Sequence, residues 1–160
     1  MIDKHGYRAN VGIILINKYR EVFWGGRIGQ PKAWQFPQGG VDKNEKPEDT
    51  LYRELYEEVG LEPQHVKVLG QTKRWLKYRL PRKYMRFHSK PLCIGQKQKW
   101  FLLEIRAAEE KINFNRVGNP EFDRWRWVDY WYPIGHVIEF KSKVYKCALE
   151  EFKPIVFGEA

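Results

Sequence analysis

Residues 53–60 read RELYEEVG, placing Glu54, Glu57 and Glu58 within five positions. On a helix, residues three and four apart share a face, so the three carboxylates project together and repel one another. In isolation such a group is most often a solvated face balanced by neighbours such as Arg53. The chemical alternative is a bed for hard divalent cations. Mg²⁺ takes oxygen ligands at about 2.0–2.1 Å in octahedral geometry and keeps waters and phosphate oxygens as co-ligands. Acids at i, i+3 and i+4 hold more than one such ion, and the metal cancels their repulsion.

The surrounding pattern supplies a helix for these acids. Pro47 suits a first turn, Glu48 and Asp49 complement the positive end of the dipole, and Gly60 terminates the segment. Leu51, Leu55 and Val59, four apart, give it one apolar stripe. Before it, VGIILIN (11–17) and EVFWGGRI (21–28) read as a hairpin, and AWQFPQGGV (33–41) as a brief strand running into a turn. After it come strands at 66–72, 75–80, 99–105 and 125–128, with a loop over 107–120 and a short turn after Pro133. A terminal helix from Lys141 carries Val144, Ala148 and Phe152 on one face. Trp125 and Trp127, two apart on a strand, share a face and read as a packed wall below the cleft. The fold class is α+β with a mixed sheet, and 160 residues without a linker or repeat are expected to form one domain, 1–160.

Charge is distributed unevenly. From Pro63 to Leu103 there are eleven Lys and Arg and no Asp or Glu, so this segment accounts for the whole net charge of +9; the remainder balances to −2. Trp75, Tyr78, Tyr84, Phe87 and Trp100 interleave the bases, a combination suited to phosphates and stacked nucleobases. No run of about 18 apolar residues reads as a membrane span, and MIDKHGYRAN lacks the apolar core of a signal peptide, so a cytoplasmic setting is expected. Cys93 and Cys147 fit neither a disulfide framework nor a metal spacing and are expected to be buried thiols. His5, His65, His88 and His136 share no spacing and read as ordinary surface or half-buried residues.

The acids sit inside a longer pattern. Gly39 lies fourteen positions and Glu45 eight before Arg53, giving G-x5-E-x7-R-E-U-x-E-E-x-G-U from Gly39 to Leu61, with U aliphatic. This is the Nudix box without departure, and the chain resembles the Nudix hydrolases. The resemblance implies an α/β/α sandwich holding a loop-helix-loop that hydrolyses a nucleoside diphosphate linked to another group. It implies Glu54, Glu57 and Glu58 as metal ligands, Gly39 as a further one through its carbonyl, and Glu45 with Arg53 as a structural ion pair. The expected cofactor is Mg²⁺, with Mn²⁺ or another divalent cation as the alternative, and more than one ion per site. Such ions neutralise phosphoryl oxygens and lower the pKa of an attacking water. Nudix enzymes differ in which carboxylate takes that proton; among the catalytic set Glu57, Glu54 and Glu58, the expectation is Glu57.

Beyond the box, MIDKHGYRANVGIILIN, WQFPQGGV, KPLCIGQKQKWFLLEI, PEFDRWRWVDYWYP and VIEFKSKVYK are similar to the bacterial RNA pyrophosphohydrolase group. That group converts 5′-triphosphate or diphosphate RNA ends to monophosphates and so initiates mRNA decay. The alternatives are a dinucleoside polyphosphate hydrolase, a substrate class long associated with the same group, and a non-catalytic RNA-binding Nudix module. The resemblance implies Glu121 as a metal ligand from a loop opposite the helix, and Arg8 as a phosphate contact. It pairs Arg27 with Phe140 around an RNA base, places Ile138 beside them, and sets Gln38, Gln96, Lys97, Lys99 and Lys141 on phosphate. The implied partner is 5′-phosphorylated single-stranded RNA. Some members are stimulated by diaminopimelate epimerase, and a monomer without membrane contact is expected.

Overall fold

In a computed structural model, which describes residues 1–158, the chain folds around a mixed sheet. The last two positions of the expected 1–160 domain lie outside the described residues. The strands are β1 (Tyr7–Ile16), β2 (Val22–Arg27), β3 (Trp34–Gln35), β4 (Gln38–Gly40), β5 (Val66–Gln71), β6 (Leu76–Arg79), β7 (Gly95–Ile105) and β8 (Phe122–Val128). The helices are α1 (Pro47–Glu54), continued by a π-helical turn over Leu55–Val59, and α2 (Glu139–Phe157).

The centre of the sheet is a parallel pair. β1 and β7 align from Tyr7 with Gly95 to Ile16 with Glu104. The far edge of β7 is shared, with β5 antiparallel to its end and β6 to its beginning. The far edge of β1 is shared in the same way. Its start pairs with β4, Gly12 opposite Gln38, and its end meets β2 at Ile16 and Val22. The expected hairpin therefore closes at its turn and then splays, as β4 takes the place beside β1 and β2 pairs with β3 and β8.

Strand alternation sorts β1 onto two cores. Val11, Ile13 and Leu15 pack with Leu51, Leu55 and Val59 on the α1 side. Ile14 and Ile16 pack with Trp24, Trp100, Tyr145 and Phe152 on the α2 side. Trp125 stacks on Phe23 at 5.4 Å and meets Trp127 edge-on at 5.2 Å, so the two indoles share the α1-side face.

Several boundaries differ from the sequence reading. The segment 33–41 is two short strands, because Pro37 interrupts the ladder after Phe36. β7 and β8 start earlier, at Gly95 and Phe122, and α2 starts at Glu139. Cys147 is exposed on α2 and Cys93 is only half-buried, so the expected burial of both thiols is corrected. Cys147 lies with Lys143, Lys146 and Glu150 on the side of α2 that faces water.

The helix of acids is not α-helical to its end. The Gly60 amide donates to both Leu55 O and Tyr56 O at 3.0 Å, one of these bonds spanning five residues. Gly60 itself has φ of 79°, and a side chain there would collide with the Asn113 carbonyl. Left-handed backbone and absent space both require glycine at this position. Gly60→Ala is expected to cost at least about 2 kcal/mol, lowering Tm by roughly 4–8 °C. A thermal melt unchanged by the substitution would contradict the steric account.

Candidate metal centre

The loop before α1 is organised by one residue. The Glu45 carboxylate accepts from the Asp42 amide at 3.0 Å, from Thr50 Oγ1 at 2.7 Å, and from Arg53 Nε and Nη2 at 2.8 and 2.9 Å. The Arg53 guanidinium bonded to it pulls its pKa down to about 2. Arg53 does more than pair with Glu45. Its Nη2 donates to the Gly40 carbonyl at 2.7 Å, while Nη1 donates to Glu54 at 2.7 Å and to Glu57 at 3.2 Å. One guanidinium thus fixes the strand end, the loop and two of the three helix acids.

Glu54, Glu57, Glu58, Gly39 and Glu121 line a single cavity of about 550 Å³, together with Val117, Gly118 and Asn119. Their environments differ. Glu58 is 6% exposed, and burial first, then the Glu54 and Glu121 charges, push its pKa well up. Burial also raises Glu54, with Arg53 opposing. The side chain of Glu57 is 41% exposed. Glu121, just before β8, holds Arg27 at 3.3 Å across the mouth.

Three observations fit a divalent cation here. Glu58 takes the Gln38 amide on Oε2 at 3.0 Å, yet its buried Oε1 has no partner. A buried acceptor left open is costly unless something fills it. A Cβ at Gly39 would strike the Glu54 carboxylate, so only glycine lets the strand backbone lie against that acid. The donor set is all oxygen, as hard cations require. Among the described residues no three acids already converge on one coordinating point, and Arg53 Nη1 stands between Glu54 and Glu57 as their countercharge.

A second cavity, about 900 Å³, opens beside the first and shares Arg27, Gln35, Gln38 and Lys141 with it. Phe140, Ile138 and Gln96 line it, with Tyr78 and Tyr84. Phe140 is half-buried, its ring 5.6 Å from those of both Tyr78 and Tyr84. Phe140 therefore forms part of the cavity wall while packing against the core. Lys141 Nζ donates to Gln35 and Gln38 at 3.3 and 3.4 Å. Burial, then Arg27, lowers its pKa to about 8. Arg8 is exposed and lies farther out, in a third cavity alongside Gln96.

Lys97 and Lys99 do not join this group. Strand alternation turns them to the opposite sheet face from Gln96 and Gln98. There Lys97 pairs with Asp3 at 3.0 Å, and Lys99 donates to the Lys73 carbonyl at 2.8 Å. Both lie over the Trp75 ring. The structure thus places Lys97 and Lys99 on the face away from the cavities, whereas the parity of β7 brings Gln96 to them. The sequence reading missed Gln35, Tyr78 as a groove wall, and the approach of residues 117–119 of the expected loop to the acids. The Gly-Asn-Pro run at 118–120 was the available signal for the bend there.

Comparison with known proteins follows the same lines. The family model described as NUDIX domain matches residues 6–145. The chain belongs to the Nudix family. Members of this family use divalent cations in general, which suits the oxygen-lined cavity. Its Nudix sequence is 58% identical over 154 residues to an RNA pyrophosphohydrolase of Shewanella woodyi, covering 96% of this chain and 88% of the relative. The fold is similar to that of the E. coli dihydroneopterin triphosphate pyrophosphohydrolase, with TM-score 0.69, 19% identity, and 91% and 96% of the two chains covered. It is similar also to a C. elegans Ap4A hydrolase in a binary complex, with TM-score 0.66, 15% identity, and 95% and 99% covered. Among the described residues no helix is long and apolar enough to cross a membrane.

The raised pKa of Glu58 gives a signed prediction. In the metal-free fold the neutral form is favoured, so the stability it contributes is present below the ordinary carboxylate range and lost as pH rises through the elevated value. Glu58→Gln is expected to make the metal-free protein more stable than wild type at pH 8, and to remove most of the stability that wild type gains from Mg²⁺. Melting curves with Mg²⁺ and with EDTA test both effects; a variant that melts lower than wild type in EDTA would contradict the buried-charge account.

Proposed function

We propose that this Nudix protein is an Mg²⁺-dependent RNA 5′ pyrophosphohydrolase, converting 5′-triphosphate or diphosphate ends to monophosphates. One observation carries the reading. The acid cavity and the aromatic cavity are contiguous through Arg27, Gln35, Gln38 and Lys141, so a polyphosphate laid on the acids places its first bases against Phe140. The name of the Shewanella woodyi relative supports it.

Glu54, Glu58, Glu57, Glu121 and the Gly39 carbonyl would hold the ions. When bound, Mg²⁺ neutralises the phosphoryl oxygens and acidifies the attacking water. The chain's own groups do the rest. Arg53 keeps Glu54 and Glu57 facing the cavity before an ion enters. Lys141, charged below about pH 8, and Gln38 take phosphate oxygens and align the chain for in-line attack. Glu57, the most accessible of the helix acids, receives the proton of the water. Arg27 and Phe140 bracket an unpaired base between guanidinium and ring, which requires a single-stranded end.

The direct test is product analysis on end-labelled triphosphorylated RNA with Mg²⁺. The expected product is the 5′-monophosphate, and Glu57→Gln is expected to lower kcat by at least about 10²–10³ with the fold retained. Diadenosine pentaphosphate cleaved far more efficiently than RNA would overturn the substrate assignment.

Lys141 predicts a pH effect of definite sign. As pH rises through about 8 its charge is lost, so KM for RNA should rise. Lys141→Arg keeps the charge, and its KM should stay flat over pH 7–9; parallel profiles in the two proteins would contradict the phosphate-binding role.

A further inference from the structure

Beyond the cavity that would take the first bases lies a third, of about 560 Å³, lined by Arg8, Arg86, Ser89 and Lys90 among others. Leu80, Tyr84 and Gln96 line both it and the aromatic cavity, so the two are continuous. The polar row on the sheet leads there. Gln38 contacts Gln96 at 3.5 Å, and Gln96 is in register with Arg8 across the β1–β7 pair.

Its charge is uncompensated. No Asp or Glu lines it. Among the described residues, carboxylates pair with Arg27, Arg53, Lys97, Arg106 and Arg124, and with none of the three bases here. Arg86 and Lys90 come from the stretch 63–103, which has no acid at all. Tyr84, 46% exposed, stands at the passage with its ring 5.6 Å from that of Phe140.

Resting on the RNA reading, we propose that this third cavity is a subsite for the RNA backbone downstream of the bracketed base. Arg86 and Lys90 hold phosphodiester oxygens there, and Tyr84 offers the next base a ring to lie on. Nucleobases carry no charge, whereas this wall presents three cations and no carboxylate, so its complement is the sugar-phosphate chain. The first bases fix the 5′ end; the downstream phosphates add affinity without sequence preference.

The experiment compares 5′-triphosphorylated single-stranded RNAs of two and six nucleotides with the same 5′ sequence. Wild type is expected to favour the hexamer in kcat/KM by on the order of tenfold. Arg86→Ala with Lys90→Ala is expected to bring that ratio near one, and Arg86→Lys with Lys90→Arg to keep it. A wild-type ratio near one, or a ratio unmoved by the alanine pair, overturns the subsite and leaves the RNA assignment standing. Failure of wild type to hydrolyse either RNA, with diadenosine polyphosphate turned over, overturns the RNA reading and the subsite together.

Discussion

A single guanidinium, that of Arg53, holds the arrangement together. It meets oxygen atoms of Glu45, Glu54, Glu57 and Gly40 within 3.2 Å, which joins the loop, the helix and the strand end around one positive charge. Without it, three acids on one helix would repel, and Glu54 would be a buried charge without a partner. The bond with Glu45 raises the Arg53 pKa further above its already high ordinary value, so the countercharge is permanent. Glu45 in turn is held by Thr50 and by the Asp42 amide, and this pins the loop to the first turn of α1.

The sheet sets what this cluster faces. Because β4 leaves room on β1 only as far as Gly12, the Gln38–Gly40 backbone lies directly over α1 and brings the Gly39 backbone to Glu54. The same parity that gives β7 its buried Trp100 and Leu102 turns Gln96 toward the groove. An acid pocket at one end and a basic, ring-lined trough beyond it follow from one strand pairing. A polyanion entering this groove meets like charge only where metal is expected to screen it.

Much of this was legible in the sequence where local rules decide. The Leu51–Leu55–Val59 stripe, the Pro47 start and the Gly60 stop follow from periodicity and capping. The roles of Gly39, Glu45 and Arg53 were legible through the resemblance to the Nudix box. What was hidden depends on tertiary partners. The π turn at Leu55–Val59 ends against a distant loop, where the Asn113 amide donates to the Val59 carbonyl at 2.8 Å. Lys97 and Lys99 look like groove residues until the register of β7 assigns them to the face shared with Trp75. Arg53 reads as the partner of Glu45, and its second hand on Glu54 and Glu57 emerges only in three dimensions.

The central claim is that a divalent cation takes over from a buried proton and a guanidinium on the acid helix. Isothermal titration of Mg²⁺ at pH 6 to 8, in buffers of different ionisation enthalpy, measures it directly. The account predicts protons released on binding, because burial raises the Glu58 pKa and a bound cation opposes that rise. Heats identical in every buffer across that range would contradict it.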